Sequence, residues 1–421
     1  MSSSVKFERI KRWLVMTILC FSGGIIFMLP FLREVYYIPM QEAFGYDNTQ
    51  MGVLISVFGT LSLLTYFPGG WLADRFSPRK LISSSLLGTG LAGLYFATYP
   101  SYHASIAVHA FWGVCISMVF WGAMIKATRN WAPPEEQGRA FGILEGGRGI
   151  FEVLSSSIFL AIFAWLGSNA TALSQVINLF ALTNIGLAVL AWFVLDDDRR
   201  ADDAQARVKV GLKEVIEVLR MPVVWLISLV VLTAYTAYWG SYYFAPYATD
   251  VYALSVVMGG AVGVGKMWLK PFAALGAGFI ADKLGVSRAV LGFFLLLTGG
   301  FVVFSLLPGG KGYLVVMLLT ATLVSVAIFA LRGIYFALLE EGGVAPAVTG
   351  TAAGVISAIG FTPDVFMPLI GGVLLDAYPG VEGYRYFYGV IAVFCAIGTL
   401  AAWMIVRRTN AVRATTGVHD A

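Results

Sequence analysis

The chain has 421 residues, of which 58% are hydrophobic, 14% aromatic and only 12% charged, with a mean hydropathy of +0.80. That composition excludes an ordinary water-soluble globular protein, and the 47 glycines, which follow no triplet period, suit closely approaching transmembrane helices. The formal charge of +4 says little as a sum; where the charges fall says much more.

Twelve apolar runs long enough to span a bilayer succeed one another at 13–36, 49–73, 80–98, 103–127, 139–166, 173–195, 222–247, 252–281, 288–307, 312–338, 345–375 and 383–406. The first comes after a basic segment, Lys6 to Arg12, but is too long for a signal peptide and lacks a small-residue cleavage site, so it is expected to remain as helix 1. Of the 28 Lys and Arg, 20 fall in connections on the side of the termini, two (Lys311 and Arg385) on the opposite side and six inside spans. This asymmetry predicts cytoplasmic termini and an even number of spans. The polar stretch 196–221, with an amphipathic segment from Lys209 to Leu219, separates an N-terminal six-helix half, 1–195, from a C-terminal half, 222–421.

An internal repeat marks the same division. Gly70-Trp-Leu-Ala-Asp74-Arg75 after the second span matches Gly278-Phe-Ile-Ala-Asp282-Lys283 after the eighth, at an offset of 208 residues. Cys20, Cys115 and Cys395 lie in apolar runs without ligand-like spacing, and His103 and His109 have no paired geometry, so neither a disulfide framework nor a metal site is indicated. Gly260 to Lys266 imitates a phosphate-binding loop, but Met267 stands where the hydroxyl is needed and no strand precedes it, so nucleotide binding is rejected.

Over essentially its whole length the chain resembles the major facilitator superfamily. Gly69-Gly-Trp-Leu-Ala-Asp-Arg-Phe-Ser-Pro-Arg-Lys80 is similar to that family's loop between helices 2 and 3, with Ser77-Pro78 in place of the usual second glycine. The stretch Lys126 to Ala140 is similar to the helix 4–5 pattern, with lysine for its first arginine, and Gly350 to Gly354 with Gly360 to Asp364 resembles helix 11 of the YihN-type branch. The resemblance implies an all-α integral membrane protein of the inner membrane, with two parallel six-helix halves about a midplane site that opens to alternate sides. The phosphate-holding arginines of the organophosphate antiporters correspond, aligned on Pro39 and Pro246, to Phe31 and Tyr238, and Glu145-Gly-Gly-Arg148-Gly occupies the region of the drug-antiporter signature. Neither chemistry is therefore expected.

Nine charged residues fall within spans: Arg33, Lys126, Arg148, Lys266, Lys270, Arg332, Glu145, Glu152 and Asp364. Each would be disfavoured by about 2.5–3.5 kcal/mol at the bilayer centre, so they are expected to pair or to line a wet cavity. Arg33, Lys126 and Arg332 lie near span ends, within reach of the interface; Arg148, Lys266 and Asp364 lie nearer the middle. Glu145, Arg148 and Glu152 share one helix face, so the arginine can pair internally or exchange that partner for a substrate oxyanion. Lys266 and Lys270 repel one another at i, i+4 unless an acid or an anionic ligand lies between them. Six cations against three acids leave a positive interior that concentrates anions. Asp364 is expected either to carry a proton or to be locked in a structural pair. Tyr235 and Tyr238 lie at the deep end of an aromatic run that otherwise reads as an interfacial belt, and could add hydroxyl donors to the cavity.

These features predict a secondary transporter for a small organic anion, a carboxylate or sulfonate, coupled to protons, monomeric, and without cofactor, metal or nucleic acid. Substrate contacts fall to Arg148 and Lys266, with Lys126, Tyr235, Tyr238, Lys270, Arg332 and Arg33 around them. Proton coupling falls to Asp364, with Glu145 and Glu152. Asp74, Arg75, Arg79, Asp282, Lys283 and Arg139 form conformational latches. Exchange or export by the same fold and a nontransporting receptor are the rival readings, and no hydrolase or metalloenzyme motif supports a membrane enzyme.

Overall fold

The computed structural model describes residues 3–133, 136–197, 212–345 and 348–416, and everything described is helix, turn or loop without strand. In chain order the helices are α1 (Ser3–Ile25), α2 (Arg33–Phe44), α3 (Asn48–Arg75), α4 (Pro78–Phe96), α5 (Tyr102–Val114), α6 (Gly122–Trp131), α7 (Gln137–Trp165), α8 (Ala170–Val194), α9 (Leu212–Leu219), α10 (Pro222–Ser241), α11 (Phe244–Asp250), α12 (Val256–Leu284), α13 (Val286–Leu306), α14 (Leu314–Ile334), α15 (Leu338–Glu341), α16 (Thr349–Gly360), α17 (Pro363–Ala377) and α18 (Val381–Thr416). Each of the twelve apolar runs coincides with a helix or with a broken pair of helices. The helix α9 forms the end of the central polar stretch, of which 198–211 lies outside the described residues, as do Pro134 and Glu135 of the helix 4–5 motif.

Among the described residues, nine helical segments are long and apolar enough to cross a membrane on length and composition alone. The ones that do not qualify are α1, α4 and α12, and their sequences say why. Lys11 and Arg12 sit in the first half of α1; α4 starts with Arg79 and Lys80 and carries three serines and three glycines; α12 carries Lys266, Lys270, Asp282 and Lys283.

The first run, expected as a single helix over 13–36, is interrupted: α1 stops at Ile25, turns occupy 26–32, and α2 carries a non-helical residue at Tyr36 (φ −114°, ψ 34°). Pro30 and Pro39 explain both features, because a proline removes an amide donor and its ring crowds the carbonyl one turn back. The break between α10 and α11 at Tyr242 and Tyr243 likewise falls just before Pro246. Between α5 and α6, residues Cys115–Trp121 run as a π-helix, which adds a residue to the turn and so rotates α6 relative to α5.

The chain divides into two compact units, Met1–Gln205 with Ser255–Val264, and Ala206–Leu254 with Gly265–Ala421. In the first, α1 packs on α7, α3 on α5 and α4 on α8. Backbones approach closely there: a Cβ on Gly24 would lie 2.6 Å from the Arg148 carbonyl oxygen, and one on Gly90 would lie 2.7 Å from that of Ala181. In the second unit, α13 and α10 both pack on α18, and α10 also packs on α16. Cys20, Cys115 and Cys395 are free thiols, all buried.

Candidate functional site

The charged residues of the spans resolve into separate settings. In the first unit, α7 presents Arg148 and Glu145 one turn apart, and they pair, Arg148 Nη1 donating to Glu145 Oε1 at 2.6 Å. Arg148 Nε also donates to the Gly23 carbonyl at 3.2 Å, and its guanidinium lies 5.0 Å from the Trp121 ring, at the end of the π-helical turn. Gly23 is there because nothing larger fits: an added Cβ would meet Arg148 Cδ and Nε and Met124 Sδ, each at 2.8 Å. Glu152, on the same face of α7, is half-buried.

Arg33 is buried at 1% exposure, donates to the Met51 carbonyl at 3.1 Å and lies 4.7 Å from the Tyr37 ring. Lys126 on α6 donates to the Ala73 carbonyl of α3 at 3.2 Å, which ties it to the backbone beside the Asp74 motif.

The second unit gathers more. The α10 residues Tyr235, Tyr238 and Trp239 follow 3.6-residue spacing, so all three look toward α14 and the α16–α17 break. There Pro363 starts α17 and brings Asp364 into its first turn, where the carboxylate accepts from Trp239 Nε1 at 2.9 Å and from the Tyr235 hydroxyl at 3.2 Å. Arg332, in the last turn of α14, stacks over Tyr238 at 4.2 Å and over Tyr235 at 5.4 Å. Its Nη1 is buried without a hydrogen-bond partner, and among the described residues the guanidinium makes neither hydrogen bond nor ion pair. Tyr242 donates to the Tyr238 hydroxyl at 3.1 Å. Lys266, 4% exposed, donates to the Ser241 carbonyl and hydroxyl, both at 2.8 Å, and lies 4.5 Å from the Tyr242 ring. Lys270 comes one turn further along α12, half-buried.

Five of the expected site residues, Tyr235, Tyr238, Lys266, Arg332 and Asp364, thus share one chain of ring and hydrogen-bond contacts. Trp239, Ser241 and Tyr242 complete it, and the sequence by itself assigns them to the aromatic belt or passes over them. Trp239 shows no signal by which it could be singled out: its indole N–H finds a carboxylate 125 positions away.

At the latch motifs, Asp74, Arg75, Asp282, Lys283 and Arg139 are exposed, with Arg75 over Trp71 at 4.0 Å. The carboxylates found at the helix starts beside them are two the sequence does not suggest. Asp197 accepts from the Ser77 hydroxyl at 2.8 Å and pairs with Arg79 at 3.5 Å, where Ser77 caps α4. Glu341 accepts from the Ser287 amide at 2.7 Å and from its hydroxyl at 2.9 Å, in the first turn of α13. Both place negative charge at the positive end of a helix.

Comparison with known proteins agrees with this architecture. A family model described as Major Facilitator Superfamily matches residues 13–362. The Escherichia coli inner membrane protein YihN is 32% identical over 407 residues, covering 95% of this chain and 96% of its own, and the E. coli inner membrane protein YqcE is 31% identical over 91% and 94%. A shorter match, 29% over 115 residues and about a quarter of each chain, joins it to a probable galactarate/D-glucarate transporter of Pseudomonas putida. Among solved structures, a bacterial homologue of the human lysosomal transporter Spinster superposes with a TM-score of 0.78 at 16% identity, over 94% of this chain and 97% of that one.

Proposed function

This chain belongs to the major facilitator superfamily, a multi-pass inner-membrane transporter and not an enzyme, and from that premise we propose that it carries a small organic anion, a carboxylate or sulfonate, together with a proton. The observation that carries the reading is Arg332: a guanidinium walled by two tyrosine rings, with a buried donor that the protein leaves unused. An arginine fork with open donors suits the paired oxygens of a carboxylate or sulfonate, and the rings on its face hold it without consuming those donors. The name of the Pseudomonas relative joined by the shorter match, a probable galactarate/D-glucarate transporter, supports an anion.

Asp364 supplies the coupling. Its carboxylate and an incoming anion both seek the positive charge of Arg332, and Tyr235 touches both Asp364 and Arg332. Protonating Asp364 removes the competing negative charge, so proton and anion favour each other's binding, as linkage requires of two ligands that share a field. Lys266, held against Ser241, adds a second positive charge one aromatic ring away through Tyr242. Arg148 and Glu145 of the first unit form an exchangeable pair: the exposed Glu145 can give up the guanidinium to a substrate oxyanion.

The test is a thermal-shift screen of the purified protein against carboxylates, sulfonates and sugar acids, with neutral nucleosides and amines as controls. A ligand at about 100 times its Kd stabilises by about 2.7 kcal/mol, a resolvable shift. Stabilisation by an anion, lost in Arg332→Gln, is expected; a neutral or cationic compound as the sole stabiliser refutes the anion reading.

A further inference from the structure

Arg385 is one of only two basic residues on the side away from the termini, and the transport reading gives it no role. It lies in the second turn of α18, beside the C-terminal end of α13. Between these helices runs a groove of about 540 Å³ lined by Ser305, Glu382, Arg385, Tyr386, Gly389, Val390 and Val393. Gly389 opens it, since a Cβ there would still stand 3.8 Å from Ser305.

The groove has two chemically distinct ends. At the rim, Arg385 Nη2 donates to the Leu306 carbonyl at 2.9 Å, while its Nε is buried without a partner. Glu382 is exposed three residues before Arg385, and the two form no ion pair among the described residues. Tyr386 packs edge-on against Tyr378 at 4.6 Å, both of them exposed, as interfacial aromatics are at the headgroup level. Going down α18, Val393, Ile397 and Leu400 are 61%, 40% and 54% exposed, a helical stripe facing away from the protein core. At 1.5 Å per residue, Val393 lies about 12 Å deeper than Arg385.

We propose that this groove seats one phospholipid with a primary ammonium headgroup: its phosphate on Arg385, its ammonium against Glu382, and one acyl chain along Gly389, Val390 and Val393. Charge complementarity fixes the choice. A cation and an acid held side by side without pairing match a zwitterion, whereas an anionic lipid would meet the Glu382 carboxylate and a choline lipid could donate no hydrogen bond to it. The inference is independent of the anion site on Arg332.

The full chain, purified from nanodiscs holding equal amounts of phosphatidylethanolamine, phosphatidylcholine and phosphatidylglycerol, is assayed for retained lipid by native mass spectrometry. One phosphatidylethanolamine per chain is expected, lowered about tenfold by Arg385→Gln. Glu382→Gln should keep a lipid bound but abolish the preference over phosphatidylglycerol. Val393→Trp fills the apolar end with both charges intact and should displace the lipid, which keeps the proposal testable if the arginine variant fails to fold. Unchanged retention in a monodisperse Arg385→Gln protein overturns the proposal. So does effective competition by soluble glycerophosphoethanolamine, which would make the site one for a headgroup alone.

Discussion

Replacing Arg332 by glutamine removes the charge but leaves an amide that can still sit between Tyr235 and Tyr238. In the empty protein, two effects oppose. The variant loses ring contacts at 4.2 and 5.4 Å, each worth roughly 0.5–2 kcal/mol, and it replaces a buried cation with an unsatisfied donor, which costs about 1–3 kcal/mol or more, by a neutral amide whose unpaired groups cost less. These nearly offset, so the unfolding transition of the unliganded protein should move little. With the anion bound, nothing offsets the loss: a hydrogen bond to a charged group contributes about 1.5–3 kcal/mol, equivalent to a Kd raised about 10- to 150-fold. Arg332→Lys keeps the charge but not the planar fork, and should fall between the two. Calorimetric titration with the most stabilising anion of the screen, alongside uptake into proteoliposomes, measures both parts. A folded Arg332→Gln protein that binds this anion with wild-type affinity would refute the assignment.

Three further outcomes rest on the same geometry. Asp364→Asn should abolish accumulation driven by a pH gradient while leaving counterflow exchange intact, and undiminished accumulation would remove Asp364 from the coupling. Gly23→Val should destabilise by about 1–3 kcal/mol through collision with Arg148 and Met124, whereas Gly146→Ala, with open space around its added Cβ, should leave the melting temperature unchanged or raised. Glu341→Ala should cost about 0.5–2 kcal/mol by stripping the acceptor from the Ser287 amide and hydroxyl at the start of α13; a thermal melt indistinguishable from wild type would show that capping contact to be idle.

Much of this molecule is legible without coordinates, and for a common physical reason. Spans, charge asymmetry and the repeated glycine-to-aspartate motif depend on composition within a window of about twenty residues, and the bilayer imposes that window on any chain that crosses it. The pairing of Arg148 with Glu145 is of the same kind, since helical spacing places them together before any packing occurs. The interruption of the first run by Pro30 is open to the same reading, because a proline acts on the turn it occupies.

What tertiary structure alone decides is which charges the protein's own groups satisfy and which they do not. In the sequence Lys266 is one half of a repelling pair, and in the fold Ser241 holds it; Arg332 reads as a residue near a span end and emerges against two tyrosine rings with its Nη1 buried and without a hydrogen-bond partner. Asp364 acquires its indole and phenol donors from α10 only because that helix is turned so that Tyr235 and Trp239 face it. Each residue turns a helix face by about 100°, so one step in axial rotation exchanges a lining residue for a lipid-facing one. That rotation is fixed by close packing between helices more than a hundred residues apart, which no local stretch of sequence contains.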